Sequence, residues 1–236
     1  MNLQKPINAM VRAIKNFNLI EENDNIAIGL SGGKDSLLLT ACLATYKRFS
    51  PVNFNLTAIC IDAFKSINKQ SLEAFCKSFN VPLIIIPSDI GEVVFDVRKE
   101  KNPCSLCAKM RRGTLCSTAK NLNCNKLALA HNADDLIETF LMSLMHENRL
   151  STIQPSAYMS NTDITVIRPL LYLWENQIEG YCKDFEVLKN PCPIDRKTER
   201  ENIKNKLNEI EKILPDFKNK LQTAILHPER YNLLKK

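Results

Sequence analysis

Asn25-Ile26-Ala27-Ile28-Gly29-Leu30-Ser31-Gly32-Gly33-Lys34-Asp35-Ser36-Leu37-Leu38-Leu39 carries three consecutive instructions to the backbone. The apolar run Asn25 to Leu30 predicts a buried strand, Ser31-Gly32-Gly33 a tight turn, and the apolar-rich run Leu37 to Tyr46 a helix. Strand, glycine turn, helix is the order an oxyanion needs. Glycines let the backbone approach phosphate oxygens, and the N–H groups opening the helix point at the anion. Lys34 adds a mobile positive charge, and the hydroxyls of Ser31 and Ser36 can donate. The spacing is not Gly-x-x-x-x-Gly-Lys-Ser/Thr, because here the glycines directly precede Lys34 and an acid, Asp35, follows it.

Outward from this loop the strand–helix alternation continues. An amphipathic helix is predicted over residues 3–19, strands at Phe54 to Asp62, Pro82 to Ile86 and Lys126 to Ala130, and helices at Asn68 to Phe79, Ser105 to Lys120 and Asp134 to Met145. The expected fold class is α/β, a doubly wound parallel sheet with an N-terminal helix. In such sheets ligands bind beyond the carboxyl ends of the strands. Asp62 ends one strand, and His131, Asp134 and Asp135 follow another. They are expected on the same edge as the loop, where carboxylates can hold Mg²⁺ beside substrate phosphates. Asp134 is equally well explained as an acid complementing a helix N-terminus.

Beyond His146 the pattern changes. Thr152 to Tyr158 and Ile164 to Ile167 flank the polar turn Ser160-Asn161-Thr162-Asp163, a plausible hairpin. Trp174 to Phe185 reads as helix, and Asn190-Pro191-Cys192-Pro193 as a loop pinned by two prolines. From about Arg196 the tail is helical, interrupted at Pro215, with 11 Lys/Arg against 6 Asp/Glu. Two regions follow: a nucleotide-binding domain over 1–195 and a basic helical extension over 196–236.

The 236 residues, 44% of them hydrophobic, can bury a substantial core. The net charge of +6 is compatible with a polyanionic partner. No secretion signal and no run of about 20 apolar residues is visible, so a cytoplasmic protein without a membrane partner is expected. Nine cysteines, an odd number, argue against a disulfide framework in that setting. Cys42, Cys60 and Cys76 fall in apolar patterns and read as core; Cys116, Cys124 and Cys182 have no partner at motif spacing. Cys104-Ser105-Leu106-Cys107 is a CxxC at a predicted helix start, and Cys192 follows in the proline-pinned loop. A lone CxxC is compatible with redox, zinc or iron–sulfur chemistry. Residues 192–195 read Cys-Pro-Ile-Asp, so a second CxxC is missing. Three thiolates with one open position suit a [4Fe–4S] cluster.

These residues together resemble the tRNA 2-thiocytidine synthetases, TtcA-like members of the PP-loop ATP pyrophosphatases. The resemblance runs from about Leu3 to Cys192 and rests on several segments. They are Phe17-Asn18-Leu19-Ile20-Glu21-Glu22, Ser31 to Ser36, Pro103 to Cys107 with Arg111-Arg112-Gly113, Leu129-Ala130-His131 with Asp134-Asp135, and Ile167-Arg168-Pro169-Leu170. It implies an adenine-nucleotide hydrolase-like fold, ATP and Mg²⁺ as cofactors, and adenylation of a cytidine carbonyl in the tRNA anticodon loop. Sulfur then displaces AMP. The implied cluster ligands are Cys104, Cys107 and Cys192, with one iron open and Asp195 not a ligand. Lys34, Asp35 and Asp135 are the implied catalytic residues. Ser31, Gly32, Gly33, Ser36, Asp62 and His131 would complete the nucleotide site. Arg111, Arg112, Arg168 and the basic tail would meet RNA. A cysteine desulfurase or another sulfide source would supply sulfur, and a homodimer is compatible with the sequence. The same chemistry on a 2- or 4-thiouridine or a small acceptor, or a non-catalytic iron–sulfur sensor or sulfur carrier, are the alternatives. The chain departs from the family where a second CxxC is usual and where paired histidines are replaced by His131-Asn132.

Overall fold

The computed structural model describes residues 3–99, 103–189, 191–193 and 199–232. In chain order the elements are α1 (Gln4–Asn16), β1 (Asp24–Gly29), α2 (Lys34–Lys47), β2 (Phe54–Asp62), α3 (Lys69–Ser78) and β3 (Leu83–Pro87). A short α4 (Ile90–Glu92) runs into a π-helical turn at Val93–Val97, followed by α5 (Pro103–Asn121), β4 (Lys126–Ala128) and α6 (Ala133–Glu147). Then come β5 (Ser156–Met159), β6 (Ile164–Ile167), α7 (Glu175–Tyr181), α8 (Glu199–Ile213) and α9 (Phe217–Leu226).

The chain divides into two compact units, one of Met1–Asn132 with Gln154–Asp195, the other of Ala133–Ile153 with Arg196–Lys236. The first holds a six-stranded sheet in the order β3-β2-β1-β4-β6-β5. All pairings are parallel except β5 with β6, the expected hairpin, which adds an antiparallel edge. The chain winds outward from β1 to β3 and then returns to the other side of β1 with β4. That reversal makes the β1/β4 boundary the topological switch point.

Strand periodicity sorts side chains onto two faces. Ile26 and Ile28 of β1 join Leu56, Ala58 and Cys60 of β2 in one core with α1, α2 and α3. Ala27, Ile59 and Ile61 point the other way, into a core with Leu127, Val166 and residues of α5. Helix α2 is apolar nearly all round and is buried along most of its length. The chain has only 6 glycines, and asparagines take left-handed positions just after helices: Asn18, Asn80, Asn123 and Asn148 all have φ near +50°. Asn68 caps α3 by accepting from the Ser71 N–H at 3.2 Å.

The second unit packs α6 with α8 and α9, burying Leu136, Ile137, Ile203 and Leu207. Among the described residues no helix is long and apolar enough to cross a membrane.

Candidate functional site

The loop leaves β1 at its carboxyl end, at the switch point. Leu30 extends the pairing by donating to the Ile59 carbonyl at 2.9 Å. The two serines then close the turn. Ser36 Oγ donates to the Gly33 carbonyl at 2.9 Å and accepts from the Ser31 N–H at 3.2 Å, while the Ser31 and Ser36 hydroxyls lie 3.1 Å apart. Gly32 has φ +80°, the left-handed region, and a Cβ there would lie 2.7 Å from Leu188 Cδ1. The Leu188 N–H donates to the Gly32 carbonyl at 3.0 Å, so the segment after α7 rests on the loop. The first-turn N–H groups of α2 have no helical acceptor by construction and form the anion-facing end.

Lys34 turns toward Glu175 of α7. Its Nζ donates to Glu175 Oε1 at 2.7 Å and reaches Asp35 Oδ2 at 3.4 Å. Burial opposes its charge, but the hydrogen bond to Glu175 and the two carboxylates outweigh burial and lift its pKa above the usual lysine value. Asp35 Oδ1 accepts from Asn132 Nδ2 at 3.3 Å. Asn132 is marked in the sequence only as the residue standing where paired histidines are usual, and Glu175 is not marked at all, since nothing local announces a partner 141 residues away.

Asp62 is buried, its Oδ1 accepting from the Ser66 N–H at 3.0 Å to shape the turn after β2. Together Ser31, Gly33, Asp62, Asn68, Arg111 and Pro191 line a cleft of about 390 Å³. Loop, acid and one predicted arginine are thus brought together. Arg112 is exposed one position on. Arg168, expected at RNA, is buried, donating from Nε to His131 Nδ1 at 3.2 Å and from Nη1 to the Gln154 carbonyl at 2.6 Å. A guanidinium so placed orients the imidazole of His131.

The CxxC opens α5, placing Cys104 and Cys107 on one face at helical i, i+3 spacing. Cys104 is exposed; Cys107 and Cys192 are half-buried. Burial raises the pKa of Cys104, and the charge of Cys192 raises it further. At Cys107 burial again leads; Arg111 opposes it, and Cys192 and Cys104 add to it. The three thiols therefore lie within electrostatic reach of one another, with a guanidinium alongside. Among the described residues no group of three His, Cys, Asp or Glu side chains is arranged to hold a single metal ion. Asp195 lies outside the described residues. The remaining six cysteines are buried, as expected of Cys42, Cys60 and Cys76 and equally true of Cys116, Cys124 and Cys182.

Asp134 and Asp135 belong to the second unit, in the first turn of α6. There Arg200 Nη1 pairs with Asp135 Oδ1 at 2.6 Å, its Nη2 donates to Thr139 at 3.0 Å, and its Nε lies 3.7 Å from Glu138. Lys218 Nζ lies 3.6 Å from Asp134. Glu138 is 4% exposed. Its pKa is pushed up to about 8 by burial and then by Asp135, against the pull of Arg200.

A PP-loop domain family matches residues 3–211. The tRNA-cytidine(32) 2-sulfurtransferase of Citrifermentans bemidjiense is 34% identical over 235 residues, covering 97% of this chain and 92% of that protein. The namesake from Ralstonia pickettii is also 34% identical, over 86% of this chain, which spans only 66% of that longer protein. Among solved structures, the U34-tRNA thiolase NcsA of Methanococcus maripaludis, with its [4Fe-4S] cluster, superposes with a TM-score of 0.78. It is 24% identical, over 98% of this chain and 80% of its own. The NH3-dependent NAD synthetase of Campylobacter jejuni, 19% identical, superposes with a TM-score of 0.52 over the full length of both chains. These two likenesses concern the fold.

Proposed function

The chain belongs to the PP-loop family of tRNA-cytidine(32) 2-sulfurtransferases, and on that premise we propose that it is an ATP-dependent tRNA thiolase that replaces the C2 oxygen of a cytidine with sulfur. The observation that carries the reading is one cleft in which Ser31, Gly33, Asp62 and Arg111 face Pro191, the chain neighbour of Cys192.

In this mechanism the ATP phosphates seat on the backbone of Gly32 and Gly33 and on the first turn of α2. Lys34 exchanges Glu175 for phosphate oxygens, stabilising charge that grows as pyrophosphate departs. Asp62 and Asp35 are the carboxylates that would hold Mg²⁺ against the phosphates. The base oxygen attacks the α-phosphorus and pyrophosphate leaves. A sulfur nucleophile then adds at C2, and AMP departs with the former base oxygen. Asp135, which the resemblance implies as catalytic, is paired with Arg200 within its own unit.

The donor set suits an iron–sulfur cluster: Cys104 and Cys107 stand one helical turn apart at the opening of α5 and, with Cys192, are accessible or half-buried soft thiol donors. Cys104, Cys107 and Cys192 would hold it, and it would supply the sulfur for transfer. Sulfide would come from a separate donor.

Mass spectrometry of tRNA nucleosides from cells lacking and re-expressing the chain tests the proposal. Loss and restoration of 2-thiocytidine is the expected result; unchanged 2-thiocytidine with loss of another thionucleoside would reassign the substrate, and no change would overturn the reading.

A further inference from the structure

A second cleft, of about 640 Å³, shares Ala63, Phe64 and Pro191 with the loop cleft and is lined further by Lys65, Asp89, Glu92, Phe95 and Pro193. Its floor is built from the carboxyl ends of β2 and β3. The Ser88 N–H donates to the Asp62 carbonyl at 3.2 Å and the Gly91 N–H to the Ala63 carbonyl at 2.9 Å. Gly91 is needed for that approach: a Cβ there would lie 2.6 Å from the Ala63 oxygen and 2.7 Å from the Phe64 ring. Phe64 and Phe95 form a tilted aromatic pair, with centroids 6.1 Å apart. Phe95 stands on the π-helical turn Val93–Val97, a rare geometry that recurs at functional positions. At the polar edge Lys65 Nζ pairs with Asp89 at 2.6 Å and lies 3.9 Å from Glu92.

We propose that this second cleft receives the unstacked target pyrimidine of the RNA, stacked against Phe64 and Phe95, and that Asp89 and Glu92 select cytosine over uracil. The inference rests on the thiolase reading and deepens it. Its location is the first argument. A base seated here borders the phosphate-loop cleft where Ala63, Phe64 and Pro191 line both, and Pro193 also lines its site, so the two chain neighbours of Cys192 adjoin it. Adenylation followed by sulfur attack at one carbon needs both the cleft and the cysteine close by. Charge is the second argument. Carboxylates are poor company for an RNA backbone, yet they accept hydrogen bonds from the cytosine N4 amine, whereas uracil presents an acceptor oxygen at that position. Sequence-specific RNA readers splay single-stranded bases onto aromatic side chains in this manner.

The test uses the cluster-loaded full chain with ATP, sulfide and anticodon stem-loop RNAs carrying C or U at the target position. Thionucleoside is read by mass spectrometry and ATP-analogue affinity is measured alongside. Phe95 lines the second cleft and not the phosphate-loop cleft. Phe95→Leu, which keeps apolar bulk without the ring, should raise the KM for RNA about tenfold, the scale of one lost stacking partner. Affinity for the ATP analogue should stay within about twofold of wild type, which also certifies that the variant is folded. Asp89→Asn with Glu92→Gln should lower the C-over-U preference about tenfold or more. An unchanged KM in Phe95→Leu, or an unchanged preference in the double variant, would overturn the pocket while leaving the thiolase reading intact. No thionucleoside from the wild-type chain on any RNA would overturn the thiolase reading, and the pocket with it.

Discussion

Lys34 Nζ and Glu175 Oε1 stand 2.7 Å apart, so the cation of the phosphate loop is occupied by a carboxylate from a helix far along the chain. An ATP phosphate has to compete with Glu175 for it. Glu175→Gln should therefore tighten binding of a non-hydrolysable ATP analogue by about threefold to fivefold, the scale of one partly exposed ion pair. Lys34→Ala should abolish release of AMP and pyrophosphate. Weaker nucleotide binding in Glu175→Gln would mean that Glu175 helps hold the ligand. The pKa of Lys34 is raised above its usual 10.5. The stability that this pair adds is thus complete below that value and is lost only as pH climbs past the raised one. Calorimetric nucleotide affinity should not titrate through Lys34 between about pH 7 and 9.

The Gly32 position makes a separate demand. Gly32→Ala adds a Cβ at positive φ and 2.7 Å from Leu188 Cδ1. The backbone term costs about 1–2 kcal/mol, and the steric term yields if Leu188 moves. Leu188→Ala in the same chain should recover only part of the lost nucleotide affinity. Full recovery, measured by titration with the ATP analogue, would show that the contact and not the left-handed backbone sets the requirement.

Cysteine substitutions separate ligands from packing. Anaerobically prepared chain should carry about four irons, as a [4Fe–4S] cluster does. Cys104→Ala, Cys107→Ala or Cys192→Ala should each remove most of that iron. Cys116→Ala, on the buried face of α5, should retain it. Stoichiometric zinc without iron, by elemental analysis, would contradict the cluster.

Glu138 gives the second unit a pH signature. Its folded pKa, near 8, lies above the ordinary 4.5, so the folded state binds the proton more tightly than the unfolded one. The associated stability is present below about pH 4.5 and is lost as pH rises through about 8. Glu138→Gln should flatten the fall in Tm between about pH 5.5 and 8.5 by several degrees, since roughly 1 kcal/mol moves Tm by 2–4 °C in a chain this long. Parallel melting curves for variant and wild type would contradict the assignment.

For RNA the expected signature is salt dependence. Binding to tRNA should weaken steeply as salt rises, and Arg111→Ala or Arg112→Ala should each lower the slope by about one counterion. Arg168→Ala should instead disturb His131. No measurable tRNA binding at low salt would exclude an RNA substrate.

What was legible in the sequence was what is local. The strand–glycine–helix grammar around Ser31 to Ser36 locates the loop, and β2 is readable over Phe54 to Asp62, which follows the Ser50-Pro51 turn signal and ends on an acid. The helix expected over Trp174 to Phe185 stops at Tyr181, since Cys182 to Phe185 packs as a turn against the loop side of the fold. Ile90–Val97 was not read as helical at all. Its Gly91 and adjacent Val93-Val94 carry poor helix propensity, and only tertiary packing on Ala63 and Phe64 holds it. Glu175 and Arg200 are invisible for a different reason: each acts through a partner distant in sequence, and no periodicity encodes such a pairing.

The discontinuity of the second unit has a consequence during synthesis. Helix α6 leaves the ribosome well before α8, because Gln154–Asp195 of the sheet unit lies between the two segments. Until Arg200 and Lys218 emerge, Asp134, Asp135 and Glu138 lack the two cations that pair with them in the folded unit. A nascent chain halted in that interval carries a finished sheet and an orphan helix.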